Sequence, residues 1–270
     1  MLTGAFAAVA VSYFSGSWLM GILAAMMAGF VISGIMAVGH IKYKADICAI
    51  GMGINLFALA ITKFMLNVIF DTSGTFTDPD VKAIPRVDIP FIKNIPILKD
   101  IFNDWAVTEW FMIVLILILT FLLYRTRWGL RLRAVGQFPM AAQTAGINVI
   151  SMKYQAILIS GLVGGLAGAH LSLGYSTMFT ENMTSNRGFM GVAAMYFGHA
   201  NPALTAVGCL VFGVADSVGA RLQAYGLPSQ FVLLMPYVVT IVVLSISMIS
   251  KKVATDRKKS SLNVVKQEAI

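Results

Sequence analysis

Residue types that carry bond-making chemistry are few and scattered in this chain. His40, His170 and His199 are far apart, and no HExxH or Cys-His cluster accompanies them; each reads as interfacial or packing, not as a metal ligand. No Gly-x-x-x-x-Gly-Lys-Ser/Thr loop occurs, and no Gly-Lys dipeptide exists to begin one, so any ATP that drives this protein is hydrolysed on another chain. Nothing local supports a Ser-His-Asp arrangement, and no row of embedded carboxylates marks a proton-driven carrier. What is concentrated is positive charge. Arg125, Arg127, Arg131 and Arg133 stand close together with no acidic residue among them, and each would cost roughly 2.5–3.5 kcal/mol at a bilayer centre. Such a stretch must lie in water, and short basic loops favour the cytoplasmic side. After it come Gly136, then Pro139 at a first helical position, Met140 to Ala145, and Gly146 where a left-handed cap would close a short helix. The chemistry this predicts is mechanical: a small polar handle for another protein to grip.

Two further polar features stand out. Among the polar residues expected to be buried, Asn55 is the strongest candidate for contact with a polar solute, because an amide both donates and accepts; an interhelical hydrogen bond is the competing reading. Asp216 is expected to pair with Arg221 as a structural ion pair, with a pathway role as the alternative.

These residues must be positioned by membrane-spanning helices. The chain is 58% hydrophobic and 12% charged, with a mean hydropathy of +0.80, which excludes an ordinary soluble domain. Its net charge of +8 gathers in the predicted cytoplasmic segments, so it orients the protein and does not point to nucleic acid. Cys48 and Cys209 fall in apolar segments and are expected to act as small packing residues.

Leu2 to Phe14 is apolar but short of the ~20 residues a crossing needs, and it lacks the features of a cleaved signal peptide. Trp18 to Val38 carries no charge over about 31 Å of helix, and His40, Lys42 and Lys44 follow it. Ile47 to Phe70 is the next span, with Lys63 expected to extend its ammonium to the headgroups. Residues 71–106, broken by Ile84-Pro85, Ile89-Pro90 and Ile95-Pro96, form an outer loop that excludes a continuous helix. Val107 to Tyr124 leads into the 125–153 loop, and Tyr154 to Tyr175 leaves it. Within that last span Gly161, Gly165, Gly164 and Gly168 are spaced for close helix packing. Gly188 to His199 is too short to cross, Asn201-Pro202 breaks it, and Ala203 to Ala220 follows. Such a broken pair is tolerated at membrane depth only where protein or a wet cavity surrounds it, so it is expected to flank a pathway. Phe231 to Ser250 is the final span, and residues 251–270 form a basic cytoplasmic tail. The fold class is therefore all-α, a polytopic integral membrane bundle with one short broken helix and a short cytoplasmic helix in the 125–153 loop, spanning 1–250.

The run Gly129-Leu130-Arg131-Leu132-Arg133-Ala134-Val135-Gly136, followed by Pro139, Ala141-Ala142 and Gly146-Ile147, resembles the cytoplasmic loop of permease subunits of binding-protein-dependent ABC importers, in the branch that handles nucleosides and simple sugars. Gln137-Phe138 and Met140 depart from the polar residues usual there. Gly51-x-Gly53-x-Asn55, Glu181-Asn182, Arg187-Gly188-Phe189, Asn201-Pro202 and Met235-Pro236-Tyr237 extend the similarity. Met1 to Phe6 is similar to the middle of such a permease, so one or two spans are expected upstream. The resemblance implies a non-catalytic subunit in a bacterial inner membrane that binds no cofactor, with ATP and Mg on a partner ATPase. It implies a second permease subunit and an external solute-binding lipoprotein. It places ATPase coupling at Arg131, Arg133, Gly136, Pro139, Ala141, Ala142 and Gly146, and the solute path near Asn55, Asn182, Phe189 and Asn201. An ion-coupled secondary transporter, a ribose-type sugar permease and a non-transporting scaffold are the alternatives.

Overall fold

The computed structural model describes residues 1–87, 105–185 and 187–224. The predicted last span, the tail, Met235-Pro236-Tyr237 and the Ile89-Pro90 and Ile95-Pro96 pairs lie outside them. The chain forms two compact units, 1–185 and 186–270.

The first unit is built on α1 (Leu2–Ser15), α2 (Trp18–Ala37) and α7 (Val149–Ala169). Between them come α3 (Ile47–Phe70), α4 (Val107–Arg125), α5 (Arg127–Gln137) and α6 (Pro139–Thr144). A wider π turn, Val38–Lys42, extends α2, and another, His170–Tyr175, extends α7. On α2 the buried residues are Gly21, Ala25, Gly29, Ser33 and Ala37, a strict four-residue ridge of small side chains. Leu19, Met20, Leu23, Met27, Val31 and Ile35 face outward and are exposed. Small residues inside and large apolar ones outside reverse the pattern of a water-soluble helix and match a helix whose solvent is lipid. Opposite this ridge, α7 runs antiparallel. A Cβ on Gly161 would meet Ser33 and the Gly29 carbonyl, and one on Gly165 would meet Ala25 and Met26. Gly164 has nothing within 4 Å, whereas a Cβ on Gly168 would meet the Met1 carbonyl and the Ala5 amide, so Gly161 and Gly165 face α2, Gly168 faces α1 and Gly164 is open.

Helix α1 starts beside the middle of this pair, where Gly4 touches Gly165 and Ala25, and ends where Gly21 meets Ala8 and Ser12. Ser12 Oγ donates to the Lys82 carbonyl at 3.1 Å.

Around Phe70 the unit is closed by aromatic packing and short ladders. Phe70 and Phe76 stack at 3.9 Å, and Phe6 meets the fully buried Phe179 edge-on at 5.3 Å. The strand β1 (Thr75–Phe76) pairs with β4 (Phe179–Thr180), and β2 (Arg86–Val87) with β3 (Trp105–Ala106), both antiparallel. Lys63 Nζ lies 3.1 Å from Glu181 Oε2. Glu181 Oε1 also accepts from the Gly74 amide at 3.1 Å, so one carboxylate ties α3, the β1 approach and the β4 exit together. Thr108 Oγ1 and His170 Nδ1, 2.7 Å apart, join α4 to the second π turn. Cys48 and Cys209 are free and exposed, not packed as expected, because each lies on a helix face that nothing in its unit covers.

The second unit holds α8 (Arg187–Phe197) and α9 (Pro202–Ala224). The break between them is sharper than a proline alone would make: His199 and Ala200 have φ of 52° and 57°. Asn201 Oδ1 then accepts from the Ala203 amide at 3.1 Å, and Pro202 opens α9 at the position where a missing N–H costs nothing. Asp216 and Arg221 are both exposed and form no ion pair with one another. Five residues of helix separate their side chains by about 140°, which explains it.

Among the described residues, five segments are long and apolar enough to cross a membrane: Trp18–Lys42, Ile47–Phe70, Val107–Arg125, Val149–Tyr175 and Pro202–Gly219.

Candidate functional site

The connection between α4 and α7 is built as two helices, where the sequence predicts only the second. The arginine segment folds as α5. Thr126 caps it, its Oγ1 accepting from the Gly129 amide at 3.1 Å and donating to the Leu122 carbonyl. A Cβ on Gly129 would fall on Leu122 and Leu123, so glycine lets α5 fold back tightly against the last turn of α4. Trp128, Leu132 and Val135, at i, i+4 and i+7, turn inward to Ala142 and Met152. That spacing is the sequence signal for the helix, hidden behind the charges. Arg127, Leu130 and Arg131 share the exposed side. Arg133 lies over the Tyr124 ring, 4.7 Å from its centroid.

Phe138 breaks the helical path with φ −140° and ψ 84°, and Pro139 restarts it as α6. Ala142, buried at 4%, anchors α6 to Val135 and Met152. The helix ends as predicted: Gly146 has φ 79°, its amide donates to the Gln143 carbonyl, and the Ile147 amide donates to the Ala142 carbonyl, each at 3.0 Å. Asn148 then caps α7 by accepting from the Ser151 amide at 3.0 Å. Trp128 Nε1 donates to Gln155 Oε1 at 2.7 Å, a clamp between α5 and α7 that no motif announces. Beside it a groove of about 700 Å³ is lined by Trp128, Leu130, Arg131, Gly146, Asn148 and Gln155 among others.

The outward tip is apolar. Met140 is 83% exposed and Phe138 72%, and no charged residue occurs from 134 to 152. Of the predicted coupling residues, Gly136, Pro139, Ala141 and Gly146 are exposed, Arg131 and Arg133 lie on the α5 flank, and Ala142 is internal.

The four predicted pathway residues are not gathered into one pocket by either unit. Asn55 lies on the same side of α3 as the buried Ala58 and Thr62 but is itself exposed, because α1 and α2 do not cover α3 at its level. It is therefore not the buried amide the sequence predicts. Asn182 is exposed in the turn after β4, with φ 56°. Phe189 is 66% exposed on α8, and Asn201 is half-buried at the break.

Helices faced with small residues inside and large apolar ones outside, joined by a capped two-helix connector, define a multi-pass membrane protein of the cell membrane. Residues 1–244 match the family described as the permease component of the branched-chain amino acid transport system, and the chain belongs to that family. It is 37% identical over 257 residues to the guanosine ABC transporter permease protein NupQ of Bacillus subtilis, covering 91% of this chain and 80% of that protein. It is 33% identical over 256 residues to the nucleoside ABC transporter permease protein NupC of Lactococcus lactis, covering 93% and 78%. Similarity to the fructose import permease protein FrcC of Rhizobium meliloti, 33% identity, covers 38% of the chain and 28% of that protein. No solved structure matches. The chain is a permease subunit of the ABC transporter class.

Proposed function

We propose that this chain carries a nucleoside inward across the cell membrane as one of two permease subunits, driven by ATP hydrolysed on a separate ATPase subunit that grips α6. A solute-binding lipoprotein delivers the nucleoside from outside, and this chain holds no cofactor and catalyses no reaction. The observation that carries the solute class is the similarity to two relatives named for guanosine and nucleoside transport, across more than nine-tenths of this chain. For the coupling role, the support is the protruding α6, seated through Ala142 and closed by Gly146. Pro139, Met140 and Ala141 meet the ATPase surface, with Gly136, Arg131 and Arg133 on the adjoining α5.

Closure of the ATPases on ATP shifts α6 and, through the Trp128–Gln155 clamp, the packed α2–α7 pair. Two conformations are needed, and the ATPase must bind them unequally for ATP to move the equilibrium. Asn55, Asn182, Phe189 and Asn201 are the residues nearest the path, and Asn55 and Asn182, open in a single chain, need the second subunit to enclose the solute.

The test is uptake into proteoliposomes holding this chain, its second permease subunit and its ATPase, with binding protein outside. Labelled guanosine should enter only with ATP inside, and excess ribose should not compete. Uptake driven by an ion gradient without the ATPase selects a secondary transporter, and strong competition by ribose selects a sugar permease. Normal nucleoside uptake in cells lacking the gene leaves only a scaffold.

A further inference from the structure

Among the described residues the guanidinium groups of α5 meet no carboxylate. Between Glu109 and Glu181 the sequence contains no Asp or Glu, yet it places Arg125, Arg127, Arg131, Arg133 and Lys153 there. Among the described residues none of these five forms an ion pair. Arg133 has the Tyr124 ring; Arg127 and Arg131, one turn apart, face solvent on one side of α5 with Leu130, 62% exposed, between them. Positive charge of this density, unpaired among the described residues, attracts anions.

The position of that face identifies the anion. Gly129 brings the first turn of α5 against Leu122 and Leu123, inside the segment Val107–Arg125 that is long and apolar enough to cross the membrane. Arg127 and Arg131 therefore lie level with the boundary where hydrocarbon gives way to headgroups. Leu130 and Ile150, each more than 60% exposed, are apolar surface at the same boundary. The tip that projects further, α6, has no charge from 134 to 152, so an acidic protein surface docking on the tip would miss the arginines. A guanidinium meets a phosphate through paired N–H donors, and a cationic side chain beside exposed leucine suits the headgroup layer.

We infer that the outward face of α5 binds the phosphate of an anionic phospholipid through Arg127 and Arg131, with Leu130 against the start of its acyl chains. The groove beside Trp128 and Arg131 gives the headgroup a recess. This does not depend on which solute is carried or on how α6 is gripped.

The full chain, reconstituted in phosphatidylcholine vesicles containing traces of spin-labelled phosphatidylglycerol or spin-labelled phosphatidylcholine, should hold the anionic lipid in preference. One arginine at an anionic surface is worth roughly a fivefold gain in association. Arg127→Gln with Arg131→Gln should bring the preference close to one, the Lys pair should keep most of it, and Lys63→Gln should leave it unchanged. Brominated phosphatidylglycerol should quench Trp128, identified by difference from Trp128→Phe, more than brominated phosphatidylcholine does, and this excess should vanish in the Gln pair. Quenching by the phosphatidylcholine probe is independent of charge and reports that the Gln pair is folded; if that quenching changes, the Lys pair alone decides, by keeping or losing the preference. Undiminished preference in a folded Gln pair overturns the inference. So does loss of preference in the wild type when the ATPase is added, which would assign the arginines to the motor, or equal competition by inorganic phosphate.

Discussion

The Trp128 indole N–H and the Gln155 side-chain carbonyl meet at 2.7 Å, and this bond joins the connector helix α5 to the second turn of the span that follows it. Gln155 is also held by Ser151, whose Oγ accepts from Gln155 Nε2 at 3.3 Å, and the Ser151 amide is engaged by Asn148. The connector is thus fixed to α7 by a chain of side-chain bonds as well as by the Val135–Ala142–Met152 contact.

Trp128→Phe keeps most of the apolar contact and removes the donor. The expected loss is about 1 kcal/mol, the net value of one such bond, and Gln155→Leu should lose a similar amount. Because both remove the same bond, the double variant should be little worse than either single one, a coupling that a double-mutant cycle on unfolding free energy would measure. Simple additivity would mean that the two side chains do not act as a pair.

At Gly146 a substitution is limited by backbone conformation alone, since φ is 79° and nothing lies within 4 Å of an added Cβ. Gly146→Val should cost about 1–2 kcal/mol locally and uncouple ATP hydrolysis from uptake, with solute capture by the external binding protein unaffected. Gly146→Asn, which tolerates the left-handed region, should transport nearly as the wild type. ATP-dependent uptake in vesicles checks both, and normal uptake by the Val variant would contradict the role given to the cap.

Acid should loosen the Glu181 tie. Its carboxyl is held below the ordinary value of 4.5, first by the hydrogen bond from Lys63 and then by the Gly74 amide. A folded pKa that is depressed gives stability that is fully present above the unfolded pKa and is lost as pH falls through the folded one. The contribution should therefore be intact at pH 7 and fade only below about 4.5. Exposure of Lys63 makes it sensitive to salt as well. Glu181→Gln should lower the melting temperature at pH 7 and low salt, and the gap to the wild type should narrow as pH drops below 4.5. A gap independent of pH would mean that charge has no part in it.

Much of this arrangement was legible in the chain because bilayer and backbone constraints act locally. The spans at Trp18 and Ile47, the break at Asn201-Pro202 and the cap at Gly146 each follow from a length, a proline or a glycine. Helix α5 is hidden because three arginines dominate its composition while Trp128, Leu132 and Val135 carry its periodicity. The ion pair of Lys63 is not legible locally because its partner, Glu181, lies more than a hundred residues away and is brought near by the pairing of β1 with β4. Asn55 was read as buried because an amide within an apolar run usually is; how far neighbouring helices reach along α3 is a property of tertiary packing that no local pattern records.

The two glycine spacings on α7 look equivalent in sequence and differ in space, which makes them a direct test of the packing. Gly165 has the Ala25 carbonyl and the Met26 backbone where a side chain would go, whereas Gly164 has open surroundings. Gly164→Ala should be neutral or slightly stabilising, because alanine is the better helix former by up to about 1 kcal/mol. Gly165→Ala must push α2 away from α7, and backbone atoms cannot yield as a side-chain end can, so the cost should be at least the roughly 1–3 kcal/mol of an overpacked core. Gly29→Ala should behave like Gly165→Ala, since its added carbon meets the Gly161 carbonyl and Gly165 from the other side. Thermal unfolding of the purified chain in detergent separates these outcomes. Equal melting temperatures for the Gly164 and Gly165 variants would show that α2 and α7 do not approach along this ridge.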